Sequence, residues 1–227
     1  MELILTPTRA EIGIFYGGVE LVVSAEVDPD VELALLVTNS PSDIHLRKKG
    51  RVWGLFWAPT DDVIFNEVPH LYLLRTSTDI DDLAPEGILR ELGLGYEALR
   101  HPRGEDGADD LFQEFIRLKE SEGLFSVSSG TANVESRPAS RSERTSLAVS
   151  LPANAPATTY SVQLFGFRDG ELVTLGEGNF ELRQSKPIAF ITLLAQEHGL
   201  LYGLLAVVIA LAAGLAVGFL FGSTGKH

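Results

Sequence analysis

Apolar and polar residues alternate with a period of two near the N-terminus. In VELVVSAEV at 19–27 every second residue, from Val19 to Val27, is apolar, and both glutamates fall between them. This period is typical of a strand with one buried face. The alternation resumes at Val31, after DPD at 28–30, which is turn-forming. The sequence therefore predicts a β-hairpin with one apolar face.

The pattern changes from strands to helices between residues 78 and 124. Strand-like runs continue through 47–77, and then Pro85 and Glu86 give a helix start signal for a helix to about Arg100. From Asp109 the sequence DDLFQEFIRLKESEG has an amphipathic helical period, which Gly123 ends. Two helices are therefore expected as an insertion in a β domain.

Strand patterns return after a polar, serine-rich stretch at 126–145. TSLAVSLP and YSVQLFGF are strand-like, and Asp169-Gly170 between two apolar runs predicts a second hairpin. Neither block of strands is large enough to form a core alone. The predicted fold class is therefore mainly β: an Ig-like antiparallel β-sandwich with a two-helix insertion, followed by a C-terminal transmembrane helix.

The helix prediction at the C-terminus rests on the uncharged run GLLYGLLAVVIALAAGLAVGFLFG at 199–222. A membrane crossing needs roughly 20 mostly apolar residues. The predicted boundaries are a β-sandwich domain at 1–187 with its helical insertion at about 80–124, a juxtamembrane segment at 188–198, the transmembrane helix at 199–222 and a tail at 223–227.

Small residues recur at every fourth position of this run. Such a stripe lets two helix backbones approach closely, which predicts contact with a membrane partner. The alternative is that glycine and alanine are simply common in membrane helices. The five residues are Ala206, Ala210, Gly214, Gly218 and Gly222.

Composition argues against several classes of function. The formal net charge of -13 disfavours nucleic acid as a partner, because phosphates would repel the domain. The absence of cysteine excludes disulfides and thiolate chemistry. The histidines show no metal-ligand spacing, and no nucleotide or nucleophile motif is present. The sequence predicts no catalytic residues, no metal, no cofactor and no enzyme activity.

The one basic cluster of this acidic chain is Arg47, Lys48, Lys49 and Arg51. It has two interpretations. It is either a solvated strand end or turn, or it is a site for an anion or an acidic partner.

The two ends of the chain give different indications of its compartment. MELILTPTRAEIGIF has no basic n-region followed by an apolar run, so it does not have the form of a secretory signal. Taken literally, the sequence predicts a tail-anchored protein with its bulk in the cytosol. The Lys and Arg residues that flank 199–222 favour this orientation only slightly.

Three stretches together resemble a known family. The first two are FYGGVELVVSAEV at 15–27 and RKKGRVWGLFWAPTDDVIFNEVPHLYLLRTS at 47–77. The third is a long C-terminal run that holds LPANAPATTYSVQLFGFRDGELV at 151–173 and AQEHGLLYGLLAVVIALAAGLAVGF at 195–219. Their order and spacing resemble the putative transmembrane protein family first described in alphaproteobacteria (Alph_Pro_TM). The resemblance implies a signal peptide, which this sequence lacks, a periplasmic domain, one span of the bacterial inner membrane and a cytosolic C-terminus. It also implies genes that often neighbour a sulfite-exporter-type permease.

Three functional hypotheses follow. The first is a non-catalytic accessory or interaction subunit, single-pass and permease-associated, whose partner is a polytopic membrane protein or another subunit of a membrane complex. The second is a periplasmic module that binds a sulfur oxyanion through Arg47, Lys48, Lys49 and Arg51. The third, a membrane-tethered enzyme, is the weakest, because no catalytic motif supports it.

Overall fold

The computed structural model describes residues 3–28, 30–52, 56–100, 108–129, 133–135, 143–185 and 195–222. Its strands are β1 (Leu3–Thr6), β2 (Arg9–Ile12), β3 (Val19–Val27), β4 (Glu32–Asn39), β5 (Ser42–Val52), β6 (Phe56–Val68), β7 (Tyr72–Thr76), β8 (Phe125–Ser129), β9 (Asn133–Glu135), β10 (Glu143–Leu151), β11 (Thr159–Arg168) and β12 (Glu171–Gln184). Its helices are α1 (Ile80–Leu83), α2 (Glu86–Glu91), the 3-10 helix η1 (Tyr96–Leu99), α3 (Ala108–Ser121) and α4 (Gly199–Gly222).

The chain divides into two compact units. The first holds Met1–Ala10 and Tyr16–Arg183, and the second holds Glu11–Phe15 and Gln184–His227. The first unit contains almost all of the strands and the helical insertion, so a mainly β domain is confirmed. The second contains α4.

The strands form three sheets. A four-stranded sheet has the order β1-β3-β10-β9, a six-stranded sheet has the order β2-β12-β11-β4-β7-β8, and β5 and β6 form a separate two-stranded ribbon. The two larger sheets pack against each other. A Cβ placed on Gly178 of β12 would lie 3.1 Å from Leu3 of β1, and Leu21 and Val23 of β3 are almost wholly buried.

The expectation of a purely antiparallel sandwich is wrong at one strand pair. β7 and β8 pair in parallel, with Tyr72 opposite Phe125. All of α1, α2, η1 and α3 lies between these two strands in the chain. A parallel pair needs a crossover of a dozen or more residues. The helical insertion supplies this crossover.

The predicted N-terminal hairpin is also wrong, although both of its strands exist. β3 pairs with β1 and β10 in one sheet, whereas β4 pairs with β11 and β7 in the other. Ala34 and Leu36 are buried together with Leu33, Leu35 and Val37, so β4 has two buried faces. Both edges of β4 are occupied, one by β11 and the other by β7, so no edge is left for β3.

One of the two helices predicted for the insertion is present, and the other is shorter than predicted. α3 runs from Ala108 to Ser121 and ends before Gly123, whose φ is 71°. The expected helix to Arg100 stops at Glu91, because Gly93 and Gly95 have positive φ angles of 75° and 89°. Residues in this left-handed region cannot continue a right-handed helix. The chain resumes as the short η1.

The second predicted hairpin is confirmed. β11 and β12 are antiparallel, with Arg168 opposite Glu171. The two residues between them, Asp169 and Gly170, have φ angles of 51° and 78°. Positive φ at both central positions is the geometry of the type I′ turn, which Asp-Gly favours.

The C-terminal run forms the helix α4, but its predicted role in the fold needs correction. Among the described residues, no helix has both the length and the apolar character that a membrane crossing requires. The transmembrane helix in the predicted fold class is therefore wrong. The tail at 223–227 and most of the segment at 188–198 lie outside the described residues.

Candidate functional site

The basic cluster lies on β5, in the two-stranded ribbon. The antiparallel register places Arg47 opposite Asp62 and Lys48 opposite Asp61. Lys49 lies opposite Pro59 and Arg51 opposite Trp57. The side chains of these residues lie outside the described part of the structure, so the two interpretations of the cluster both stay open. Anion binding by the cluster stays a prediction.

The predicted packing face of α4 is open. Every described side chain from Tyr202 to Gly218 is exposed. A Cβ added at Gly214 or Gly218 would meet nothing within 4 Å. Among the described residues of the second unit, nothing therefore covers the stripe from Ala206 to Gly218. Ala206, Ala210, Gly214 and Gly218 lie along α4, and Gly222 is its last residue. Packing against a partner stays a prediction.

An acidic groove of about 840 Å³ lies at one end of the first unit. Four separate chain segments form it: the turn before β4, α1 with α2, η1, and the β11–β12 turn. Its lining includes seven carboxylates, which are Asp30, Glu32, Asp81, Asp82, Glu86, Glu97 and Asp169. A groove of this charge repels anions such as sulfur oxyanions and attracts cationic groups.

Arg168 joins the two turns at the mouth of this groove. Its Nη2 donates hydrogen bonds to Oδ2 of Asp28 and Oδ1 of Asp30, both at 2.9 Å. The hydrogen bond from Arg168 lowers the pKa of Asp30 below its usual range, because it stabilises the charged carboxylate. The turn before β4 is thereby fixed to the β11–β12 turn, so the two sides of the groove keep their spacing.

Tyr72 positions the helical side of the groove. Its hydroxyl donates to the carbonyl of Gly93 at 2.8 Å and accepts from the N–H of Gly95 at 2.7 Å. These glycines lie between α2 and η1, which carry Glu86 and Glu97 of the groove. Burial raises the pKa of Tyr72, since the charged phenolate would lose its water. The hydroxyl therefore stays protonated and serves as a hydrogen-bonded anchor.

No metal centre is found in the described part of the chain. Among those residues, no group of three or more histidine, aspartate or glutamate side chains is arranged to hold an ion.

Sequence reasoning missed this groove. Asp81 and Asp82 of the groove lie in the first turn of α1, where acids have a common local role in stabilising a helix start. The other acids of the groove lie as far away as Asp30 and Asp169. Only the excess of negative charge in the whole chain signalled that an acidic surface would exist.

Comparison with known proteins gives one match. The model of the family described as "Putative transmembrane protein (Alph_Pro_TM)" matches residues 1–223. No curated protein and no solved structure matches the chain. The family description is that of a membrane protein, and it states no activity, ligand or partner.

Proposed function

Because the chain belongs to the putative transmembrane protein family Alph_Pro_TM, we propose that it is a non-catalytic accessory or interaction subunit of a bacterial inner-membrane complex. The observation that carries this proposal is α4, whose described side chains from Tyr202 to Gly218 are all exposed and mostly apolar. Exposed apolar surface of this extent marks an interaction site.

The partner that fits α4 is a helix of a polytopic membrane protein. Small residues at every fourth position, from Ala206 to Gly222, leave a shallow groove along one side of the helix. Another helix can enter this groove closely enough for extensive backbone contact. The resemblance to a family encoded beside a permease supports a permease as that protein. The same resemblance supports a periplasmic position for the β domain.

Two observations disfavour the two alternatives. An oxyanion-binding module is disfavoured because the groove is acidic. An enzyme is disfavoured because, among the described residues, no serine, threonine, lysine or histidine lines the groove beside its carboxylates. The interaction subunit needs neither type of site.

The test uses the full chain, affinity-tagged and purified in mild detergent from the cells that make it. Leucine at Gly214 and Gly218 fills the small-residue groove, so we expect a co-purifying polytopic protein to be lost. The matched control places leucine at Ala212 and Ala216, which have the same spacing but lie on the opposite side of the helix. Equal recovery of the partner with both double variants would contradict helix packing through this face.

A further inference from the structure

The outer edge of β12 is unpaired along its first half. β12 has β11 on one side and β2 on the other. On the β2 side, the N–H of Glu181 donates to the carbonyl of Thr8 and the N–H of Ser185 donates to that of Ile12. β2 therefore reaches only the end of β12. In the described part of the chain, no strand borders the outer edge from Glu171 to Gly178.

Hydrogen-bonding groups of this edge point away from the sheet. The register between β11 and β12 is regular from Thr174 to Glu181. Backbone N–H and C=O groups alternate between the two edges of a strand, and those of Glu181 point outward. Leu175 and Glu177 lie an even number of residues before Glu181. Their N–H and C=O groups are therefore oriented to receive another strand.

The side chains along the same edge are unusually apolar for an exposed position. Leu172, Val173 and Leu175 are 39%, 48% and 39% exposed. A bulge lies here, since Gly166 pairs with Thr174 and Phe167 pairs with Leu172, which leaves Val173 without an opposite residue. Unpaired hydrophobic edges promote pairing with another chain unless charges or bulges protect them. This bulge lies at the start of the edge and leaves Thr174–Gly178 regular.

The negative charge around the outer edge of β12 indicates the chemistry of the segment that binds there. The β11–β12 turn that begins this edge also lines the acidic groove through Asp169 and Gly170, and Glu171 and Glu177 flank the apolar residues. A second copy of this chain would bring more acidic groups to the edge, because its net charge is -13. A partner segment with lysine or arginine beside apolar residues is complementary instead.

We propose that the edge of β12 from Glu171 to Gly178 binds an extended basic segment of the membrane partner as an added strand, with its cationic side chains directed to the acidic groove. Main-chain hydrogen bonds to Leu175 and Glu177 provide affinity, and the side-chain contacts provide selectivity. This inference rests on the proposed function, because it names the chemistry of the partner that the interaction subunit recognises.

The probe is a ten-residue peptide, capped at both ends, in which valine alternates with lysine. Its control alternates valine with glutamate and so has the same strand propensity but the opposite charge. With the full chain in mild detergent, we expect saturable binding of the lysine peptide by fluorescence anisotropy. Hydrogen exchange is expected to slow at Leu175 and Glu177. Absence of binding by the lysine peptide, or equal binding of both peptides, overturns the proposal.

The variant Leu175→Pro separates strand addition from simple charge attraction. Proline removes an N–H that points to solvent, which an edge strand tolerates. We expect affinity to fall about tenfold, because main-chain hydrogen bonds are lost. If this form does not fold, Glu177→Pro serves as the second variant and is compared with Glu177→Gln, which loses the same charge but keeps the outward N–H. Normal affinity in the folded variant overturns the proposal.

The charge variants Asp169→Asn and Glu171→Gln test whether the acidic residues beside the edge contribute to binding of the basic segment. Asparagine tolerates the positive φ at position 169, so the turn is retained. A loss of peptide binding here but not in Leu175→Pro would mean charge attraction without an added strand, which contradicts the proposal. Loss of the co-purifying partner in the Gly214 and Gly218 variant tests the proposed function separately. Strand addition at β12 and helix packing through α4 can therefore be refuted independently of each other.

Discussion

Replacing Tyr72 with phenylalanine tests whether one hydroxyl holds the helical insertion in place. Tyr72 is 1% exposed, and its ring lies 6.0 Å from Tyr96 and 5.9 Å from Phe125, measured between centroids. Phenylalanine keeps these contacts. It removes the hydrogen bonds to Gly93 and Gly95, at 2.8 and 2.7 Å, and so leaves one carbonyl and one N–H without their partner.

The expected cost is about 2 kcal/mol of unfolding free energy. A net hydrogen bond contributes roughly 0.5–1.5 kcal/mol, and a buried group left unsatisfied costs about 1–3 kcal/mol. The value lies in the middle of this range because Gly93 and Gly95 are half-buried, so that water replaces part of the lost bonding. The measurement is chemical denaturation of the full chain in mild detergent.

The control is Tyr96→Phe, which removes an exposed hydrogen bond from the Tyr96 hydroxyl to Oε1 of Glu120 at 2.8 Å. Its cost should stay below about 1 kcal/mol, because water competes for both groups. Hydrogen exchange at Gly95 should become faster in Tyr72→Phe only. The anchoring role is refuted if both variants cost the same, or if exchange at Gly95 does not change.

The raised pKa of Tyr72 adds a dependence on pH. Unfolded tyrosine ionises near pH 10, whereas burial keeps the folded Tyr72 protonated to higher pH. The stabilisation is complete below about pH 10 and is lost as pH rises toward the folded pKa. The difference in stability between the native chain and Tyr72→Phe should therefore shrink in strong alkali. A difference that stays constant above pH 10 would contradict this assignment.

Two further predictions concern the mouth of the groove and the compartment of the domain. Arg168→Gln should return the pKa of Asp30 to its ordinary value, which is about 3.9. In the native chain, the ion pair between Arg168 and Asp30 stabilises the fold at pH values above about 3.9. This stabilisation is lost as pH falls through the lowered pKa of Asp30. Carboxyl NMR titration of Asp30 measures this, and an unchanged pKa in the variant would show that another group lowers it. For the compartment, protease added to intact spheroplasts should remove the β domain while a cytosolic control survives. Protection until lysis would place the domain in the cytosol.

Local patterns determined those parts of the structure that depend on neighbouring residues. The alternation at 19–27 became β3, in which every second residue from Leu21 to Val27 is buried. The amphipathic period after Asp109 became α3, and Asp169-Gly170 became the predicted turn. In each case the period or the turn chemistry acts within a few residues, so the chain alone contains the information.

Tertiary structure decided what lies opposite each element. The period of β4 indicated one buried face, but its second face is covered as well, and this placed it in a different sheet from β3. The acidic groove could not be read from the chain, because Asp30, Asp81 and Asp169 come together only after the strands pair. The unpaired edge of β12 depends on how far the short β2 reaches. Burial on a second face, long-range charge clustering and edge exposure are properties of packed elements, so no single stretch of sequence specifies them.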